Sequence, residues 1–252
     1  MRMTLPAACL AALLGLVPAT SPVHAADDAA FTPAQVEALG KIIHEYIVKH
    51  PDVLMEAAQA LQDREEAARE SQVRDALKSL RKDLERDPET PVLGNPNGDI
   101  TLVEFFDYKC GYCKKAYKDV MKSVTDDGKV RLVLKDLPIL SQDSVDVSRA
   151  ALAAHAQGRY GEFFAAALAH RGAYDEQAIH DIAKKIGLDV VRLKKDMDNP
   201  AIEKILDRNR ELARALRVEG TPMFVVGDTL MPGMVTEAVL KEAFAKARRK
   251  TP

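Results

Sequence analysis

The sequence predicts an α/β domain with a helical insertion, preceded by an α-helical N-terminal arm. Residues 100–134 contain two strand-length apolar runs separated by a helical pattern, an order that implies parallel strands and a right-handed crossover. Residues 144–216 are helical in pattern almost throughout, and residues 223–246 predict two short strands and a closing helix. Ahead of these segments, residues 32–84 are mostly helical in pattern.

The arm begins with a helix-start signal. Thr32, Pro33 and Gln35 have the residue types of an N-cap, a first helical position and a third position. The proline within residues 50–52 should end this first helix, because a residue before proline avoids helical backbone angles. A second helix should then run over residues 53–84.

The second predicted helix carries a narrow apolar stripe. Val73, Leu77, Leu80 and Leu84 are spaced by four, three and four residues, which is typical of a coiled-coil seam. We therefore expect the arm to associate with other copies of the chain, as a dimer or a trimer. The alternative is that the stripe folds back on its own domain.

The first residues indicate export. Arg2 is followed by an apolar run over residues 5–17 that is too short to span a bilayer, and residues 23–25 resemble a signal-peptide cleavage site. We expect cleavage after Ala25 and a periplasmic mature protein. Turn formers over residues 87–98 mark a domain boundary. The predicted organisation is thus a signal peptide (1–25), a helical oligomerisation arm and linker (26–90) and a catalytic domain (91–252).

Charge gives no sign of a polyanionic partner. The formal net charge is -2, so the chain lacks the basic excess that attracts nucleic acid or an anionic membrane. We expect no nucleic-acid binding.

The cysteines indicate redox chemistry. Cys9 lies in the predicted signal, which leaves Cys110 and Cys113 in the mature chain. A disulfide that closes so short a loop constrains the unfolded chain very little, so a structural staple is a poor explanation. A structural zinc site needs four ligands, and the chain has no second cysteine pair. Copper(I) is a stronger metal alternative, because thiolates and thioethers are soft ligands and Met223, Met231 and Met234 lie in the last third.

The two cysteines should have different roles. A C-x-x-C motif at the start of a helix exposes its first sulfur to unpaired N–H groups, which stabilise a thiolate. Cys110 is therefore the predicted nucleophile. Cys113 shares a helical face with apolar residues and is the predicted resolving thiol. No small-molecule cofactor is needed.

Two charged residues interrupt the apolar strands. Glu104 lies within the first strand and Lys135 follows the second. Because an isolated buried charge is costly, one expectation is an ion pair or proton relay beneath the cysteines. The other is that each residue lies at a strand end in water.

Residues 103–114 (VEFFDYKCGYCK), the helical insertion and Gly220-Thr221-Pro222 before a strand resemble the DsbA-like branch of the thioredoxin superfamily. The resemblance covers about residues 91–250 and implies a thioredoxin-like fold. It implies that Pro222 is cis and faces the dithiol, that Thr221 contacts the client chain, and that Glu104 and Lys135 are the acid and base beneath the site.

Two departures refine the resemblance. Strongly oxidising members have Pro-His between the cysteines and Val before the cis proline, whereas this chain has Gly-Tyr and Thr221. An N-terminal arm with a C-G-Y-C motif is similar to the suppressor-of-copper-sensitivity C proteins, which implies an oligomeric disulfide isomerase or reductase acting on cysteine-containing exported proteins. A membrane partner like DsbD would then keep the dithiol reduced. The alternatives are a dithiol oxidase recycled by a DsbB-like partner, and a copper-sequestering protein.

Overall fold

The computed structural model describes residues 31–250, which form two compact units divided between Leu61 and Gln62. The predicted signal peptide, its cleavage site and Cys9 lie outside these residues. Within the described part of the chain, no helix is both long enough and apolar enough to cross a membrane.

The N-terminal unit is helical. It contains α1 (Pro33–Lys49) and the first residues of α2 (Asp52–Ser79), separated at His50 and Pro51 as the sequence predicts. Thr32 caps α1: its hydroxyl accepts from the Gln35 N–H at 3.4 Å, and the Gln35 side chain accepts from the Thr32 N–H at 2.8 Å. This reciprocal pair satisfies two N–H groups that a helix start would otherwise leave unpaired.

The second unit is built on a mixed sheet. Its strands within the described residues are β1 (Val92–Gly94), β2 (Ile100–Phe106), β3 (Val130–Asp136), β4 (Met223–Val226) and β5 (Thr229–Pro232). Their order in the sheet is β1-β3-β2-β4-β5. Strands β2 and β3 are parallel, and the other pairs are antiparallel. The predicted parallel pair and C-terminal hairpin are confirmed.

Helices cover both faces of the sheet. The crossover helix α4 (Gly111–Asp127) joins β2 to β3. The predicted insertion consists of α5 (Gln142–His155), α6 (Tyr160–Ala169), α7 (Glu176–Lys185), α8 (Val190–Met197) and α9 (Pro200–Ala215). The remaining helices are α3 (Arg81–Glu85), after α2, and α10 (Glu237–Lys250), after β5.

The sheet separates two cores. Leu102 and Phe106 of β2 belong to the first core, with residues of α4, the insertion and α10. Val103 and Phe105 belong to the second core, with residues of the end of α2, α3 and α9. Side chains alternate along a strand, so each β2 residue is assigned to one core by its position.

The predicted coiled-coil stripe lies in the second core. Leu77 and Leu84 are each 2% exposed, and Val73 and Leu80 pack around them. The expectation that this stripe joins separate chains is therefore wrong, and the alternative that it folds back on its own domain is confirmed. For the same reason, the boundary between the units falls after Leu61 rather than near Pro91.

Strand β1 is not predicted by the sequence. It is three residues long and pairs with the outer edge of β3. It ends at Gly94, whose φ of +70° is rarely adopted by other residues. A Cβ there would lie 2.6 Å from the Val130 carbonyl oxygen, so the close approach of the two strands requires glycine.

Candidate active site

Cys110 occupies the N-cap of α4. Its backbone is extended, and its sulfur accepts from the Cys113 N–H at 3.4 Å. The Cys110 N–H in turn donates to the Asp107 carbonyl oxygen at 3.0 Å, which fixes the turn between β2 and α4. The predicted position of the motif, after a buried strand and at a helix start, is confirmed. Both cysteines are free thiols in this structure.

The surroundings of Cys110 favour its thiolate. Hydrogen bonding with the side chain of Cys113 is the main cause that lowers the pKa of Cys110 to about 5; the Thr221 side chain and the N–H groups of Cys113 and Tyr112 act in the same direction, against burial. These groups donate toward the negative charge, as N–H groups at a helix start do. Cys110 is thus ionised at neutral pH.

Cys113 has the opposite environment. Its side chain is 1% exposed, against 7% for Cys110, and it lies in the first core. Burial raises the pKa of the Cys113 thiol far above its ordinary value, and hydrogen bonding to Cys110 adds to this effect. One cysteine is therefore held as a thiolate and the other as a shielded thiol.

Thr221 and Pro222 approach the dithiol from β4. Because β4 pairs with β2, with Phe105 opposite Met223, the residues before β4 lie at the end of β2 that leads to Cys110. The Cys110 sulfur lies 3.1 Å from the Thr221 carbonyl oxygen, to which it can donate when the thiol is protonated. The Thr221–Pro222 peptide bond is cis, as the resemblance implies.

Glu104 lies on the dithiol side of the sheet. It is 2% exposed, and burial followed by the charge of Cys110 raises its pKa to about 8. Its own charge contributes to the raised pKa of Cys113. The carboxyl group is therefore close enough to both sulfurs to influence their ionisation.

Lys135 does not join Glu104. In the register of β2 and β3, Glu104 is opposite Leu134 and Lys135 is opposite Phe105, so the two charged side chains lie on opposite faces of the sheet. The Lys135 ammonium donates to the Thr90 hydroxyl at 2.8 Å and to the Asp83 carbonyl oxygen at 3.0 Å. The expected Glu104–Lys135 pair is therefore not formed, and the expectation that both residues lie in water is also wrong.

Lys135 instead holds the segment that precedes β1. Its ammonium lies 3.8 Å from the Asp87 carboxylate, and burial lowers its pKa to about 8. These contacts fix residues 83–90 against the second core. They assign Lys135 a structural position, away from the dithiol.

The structure also places Asp107 in the site, a residue that was not selected from the sequence. It is fully buried in the loop between β2 and α4. Its carboxylate oxygens accept from backbone N–H groups of two loops, including that of Lys109 at 2.8 Å. A charged residue directly between Phe106 and Tyr108, at the end of a buried strand, is the only sequence signal.

Two of the three methionines considered as copper ligands are packing residues. Met223 is buried in the second core, Met231 packs against the first, and Met234 is half exposed. Among the described residues, no group of three or more His, Cys, Asp or Glu side chains has an arrangement suited to a metal ion.

A thiolate at a helix start, a shielded second thiol and a facing cis proline on this sheet define a thiol–disulfide oxidoreductase with a thioredoxin-like fold and a helical insertion. The chain belongs to the DSBA-like thioredoxin domain family, whose model matches residues 101–245. Residues 35–68 match a second model, the copper resistance protein ScsC N-terminal domain. The protein is accordingly a DsbA-like oxidoreductase of the ScsC type.

Solved structures support this assignment. A thioredoxin-like oxidoreductase from Silicibacter pomeroyi is 43% identical with a TM-score of 0.66, and the match covers 68% of this chain and 99% of that one. Proteus mirabilis ScsC in a transitional conformation is 28% identical with a TM-score of 0.65, over 88% and 100% of the two chains. A periplasmic thioredoxin-like protein from Salmonella enterica serovar Typhimurium is 28% identical with a TM-score of 0.61, over 68% and 97%.

Matches among curated proteins include longer chains. A Na(+)/H(+) antiporter NhaA of Herminiimonas arsenicoxydans is 28% identical over 169 residues, which cover 66% of this chain and 27% of the antiporter. The chain thus spans about a quarter of the length of that relative.

Proposed function

We propose that the protein reduces and isomerises disulfides of exported client proteins. The observation that carries the proposal is the contrast within the dithiol: the pKa of Cys110 is lowered to about 5, while that of Cys113 is raised. This contrast supports attack on the client by Cys110 and resolution by Cys113.

The first step forms a mixed disulfide. The Cys110 thiolate attacks one sulfur of a client disulfide, the new S–S bond joins Cys110 to the client, and the other client sulfur leaves as a thiolate. Thr221 and Pro222 are the proposed client contacts in this step. The approach of the Thr221 carbonyl oxygen to the Cys110 sulfur, at 3.1 Å, supports a client position beside them.

Two routes release the client. In reduction, Cys113 attacks the Cys110 sulfur, and the proton of the Cys113 thiol passes to the Glu104 carboxylate. The client leaves as a thiolate. The dithiol is thereby oxidised by two electrons and the client disulfide is reduced. In isomerisation, another client thiolate attacks the mixed disulfide and Cys110 leaves as a thiolate. Burial and, second, the charge of Cys110 raise the pKa of Glu104, so loss of that charge in the mixed disulfide lowers the pKa and increases the ionised fraction that can accept the proton. Lys135 has no part in this relay.

Isomerisation also benefits from several dithiols around one client. Assembly raises the effective concentration of the reactive groups, so that attack and release can repeat before the client diffuses away. The N-terminal unit supports an assembly as a dimer or trimer. It leaves apolar side chains exposed on α1 and on the start of α2: Val36, Leu39, Ile42, Ile43, Tyr46, Val48, Val53, Leu54, Met55 and Leu61.

The exposed apolar side chains are numerous enough to drive association. Burying them against matching copies gains roughly 25 cal/mol per Å² of apolar area. Val36, Leu39, Ile43 and Tyr46 follow the three- and four-residue spacing of one helical face. We therefore assign self-association to residues 31–61 rather than to residues 73–84, which are buried in their own chain.

We place the protein in the periplasm. The predicted signal peptide and the periplasmic description of the Salmonella relative support this location. An isomerase must return to the dithiol state after each accidental oxidation. We therefore also propose a membrane thiol–disulfide partner that supplies electrons, as DsbD-like reductases do.

A truncation tests the link between assembly and function. Removing every residue before Gln62 keeps Leu77 and Leu84 in the second core, whereas removal up to Pro88 would delete both. The shorter truncation should give a folded monomer that reduces client disulfides but no longer rescues scrambled ribonuclease. A truncated monomer with full isomerase activity would contradict the role of assembly.

A matched pair of substitutions tests the surface itself. Ile43→Asp puts a charge on the apolar face of α1, and Lys41→Asp puts the same charge on the opposite face. Sedimentation should show dissociation for Ile43→Asp and retention of the oligomer for Lys41→Asp. A wild-type chain that sediments as a monomer at micromolar concentration would refute the oligomer.

A further inference from the structure

Positive charge is concentrated around the dithiol. Residues 109–118 contain no acidic residue and four lysines: Lys109, Lys114, Lys115 and Lys118. The whole chain, by contrast, has a formal net charge of -2. Lys109 directly precedes Cys110, and Lys114 follows one helical turn later on the same face of α4. The start of α4 therefore carries an excess of cations beside the reacting sulfur.

Lys114 is held in place rather than left mobile in solvent. Its side chain is partly buried, and its ammonium donates to the His170 carbonyl oxygen at 2.8 Å. The same ammonium lies 5.2 Å from the centre of the Tyr174 ring. Both contacts direct it toward the loop between α6 and α7. A fixed and partly desolvated cation attracts an anion more strongly than a mobile lysine in water does.

The loop between α6 and α7 adds a second cation. Arg171 directly follows His170, is exposed, and forms no ion pair with other described residues. The pKa of Lys114 is lowered by burial, then by the charge of Arg171 and then by that of Lys109. Like charges that influence each other in this way repel, so an anion bound beside them would relieve the repulsion.

The carboxylates at this position are already engaged. Asp143 pairs with Lys109 at 2.9 Å. Asp107 is buried, and its oxygens accept from three backbone N–H groups. The main causes that lower the pKa of Cys110 are hydrogen bonds, so its thiolate is stabilised chiefly by groups other than these cations. Lys114 and Arg171 are thus left with positive charge that a further anion can neutralise.

We propose that Lys114 and Arg171 form a subsite for a client carboxylate that lies next to the reacting cysteine. The inference rests on the proposed function and adds a client class: disulfides flanked by Asp or Glu. Lys114 supplies a fixed cation, and the exposed Arg171 makes the subsite accessible from solvent. The subsite contacts the client beside the sulfurs, so it determines which client is preferred and leaves the exchange chemistry to the dithiol.

Three disulfide-linked peptides that differ only in having Glu, Gln or Lys beside the cysteine test the subsite. The readout is kcat/KM for their reduction by the full mature chain at low and at high ionic strength. The wild type should prefer Glu to Gln and Gln to Lys, and added salt should weaken this preference because it screens the charges. Equal kcat/KM values for the three peptides would overturn the subsite alone. A wild type that reduces none of them would overturn the proposed function as well.

Arg171→Gln removes one charge of the subsite at an exposed position. It should lower the Glu-to-Gln ratio of kcat/KM about 2- to 5-fold, as expected for one exposed ion pair. Arg171→Lys keeps the charge and should retain most of the ratio. Lys195→Gln on α8 is the matched control, because Lys195 is also exposed and lies outside the contacts around the dithiol. An unchanged ratio in Arg171→Gln, or an equal loss in Lys195→Gln, would contradict the subsite.

Two further measurements separate the subsite from other roles of the cations. The absorbance titration of the Cys110 thiolate should keep its wild-type midpoint in Arg171→Gln. A shifted midpoint with an equal loss of kcat/KM for all three peptides would show that Arg171 acts on the thiolate, and would overturn the subsite. Glutathione disulfide is the second probe, because it is a small disulfide that carries carboxylates. If Arg171→Gln slowed reduction of glutathione disulfide and of none of the peptides, the cations would serve small thiols and the client assignment would be wrong.

Discussion

The thiolate of Cys110 should persist to unusually low pH. Its pKa is about 5, whereas a free cysteine has a pKa of about 8.5. At pH 7 the thiolate fraction then rises from about 3% for a free cysteine to about 99%, a gain of roughly 30-fold. A thiolate of lower pKa is a weaker nucleophile, however. With a Brønsted coefficient of about 0.4–0.5, a pKa difference of about 3.5 slows the thiolate roughly 25- to 55-fold, which nearly cancels that gain.

The low pKa of Cys110 therefore affects mainly the step in which Cys110 leaves the mixed disulfide. A more stable thiolate is a better leaving group, so the mixed disulfide is short-lived and a second client thiol can displace Cys110 quickly. The environment of Cys110 thus favours release of the client, a step that an isomerase requires in every cycle and that a dithiol oxidase also uses.

Absorbance of the reduced protein near 240 nm, recorded from about pH 3 to pH 10, measures the thiolate directly. We expect a midpoint near pH 5, and no such transition in Cys110→Ala. In Cys113→Ala the midpoint should rise, because the main hydrogen bond that lowers the pKa of Cys110 is removed. A wild-type midpoint at about pH 8 or above would refute this account of the site.

Three further outcomes are expected. Leu77→Ala should lower the free energy of unfolding by about 2–5 kcal/mol in urea titrations. Leu61→Ala, on the same helix but 57% exposed, should change the free energy of unfolding by less than about 0.5 kcal/mol in the dissociated protein. Equal effects of the two substitutions would contradict the packing of α2. Thr221→Val should raise the pKa of Cys110 in the absorbance titration, since a hydrogen bond from the Thr221 side chain lowers it; an unchanged midpoint would remove this tuning role. For Glu104 the folded pKa is raised from 4.5 to about 8, so the folded state binds more protons between these values and stability falls as pH rises through that window. With both cysteines replaced by serine, Glu104→Gln should flatten this fall in thermal unfolding, and parallel pH profiles of the two proteins would contradict burial of the carboxyl group.

The two strands joined by the helix of the dithiol were predictable from the sequence. Residues 100–106 and 130–134 are mostly apolar and show no regular alternation, because both faces of the central strands are covered by helices. The C-x-x-C motif at the start of α4 was predictable for a similar reason, since a strand, a turn and a helix follow in order. Strand β1 was missed because a three-residue edge strand is defined by its pairing with β3 rather than by its own pattern.

The contacts of correctly identified residues were less predictable. The stripe formed by Leu77 and Leu84 was recognised as apolar, but such a stripe fits another helix or the face of a sheet equally well. The separation of Glu104 from Lys135 depends on strand register, since a shift by one residue exchanges the faces of the sheet. Asp107 was missed because its role lies in hydrogen bonds to residues about 30 positions away, in a loop whose position only the fold defines.

We propose that Cys110 attacks client disulfides and that Cys113 resolves the mixed disulfide. Mixing Cys113→Ala with a disulfide-containing client, and identifying the linked residues by mass spectrometry under non-reducing conditions, tests both roles. We expect a stable mixed disulfide between Cys110 and a client cysteine, and no linked product from Cys110→Ala, in which the remaining thiol is buried with a raised pKa. Trapping of the client on Cys113 in the Cys110→Ala protein, with none on Cys110 in Cys113→Ala, would contradict it.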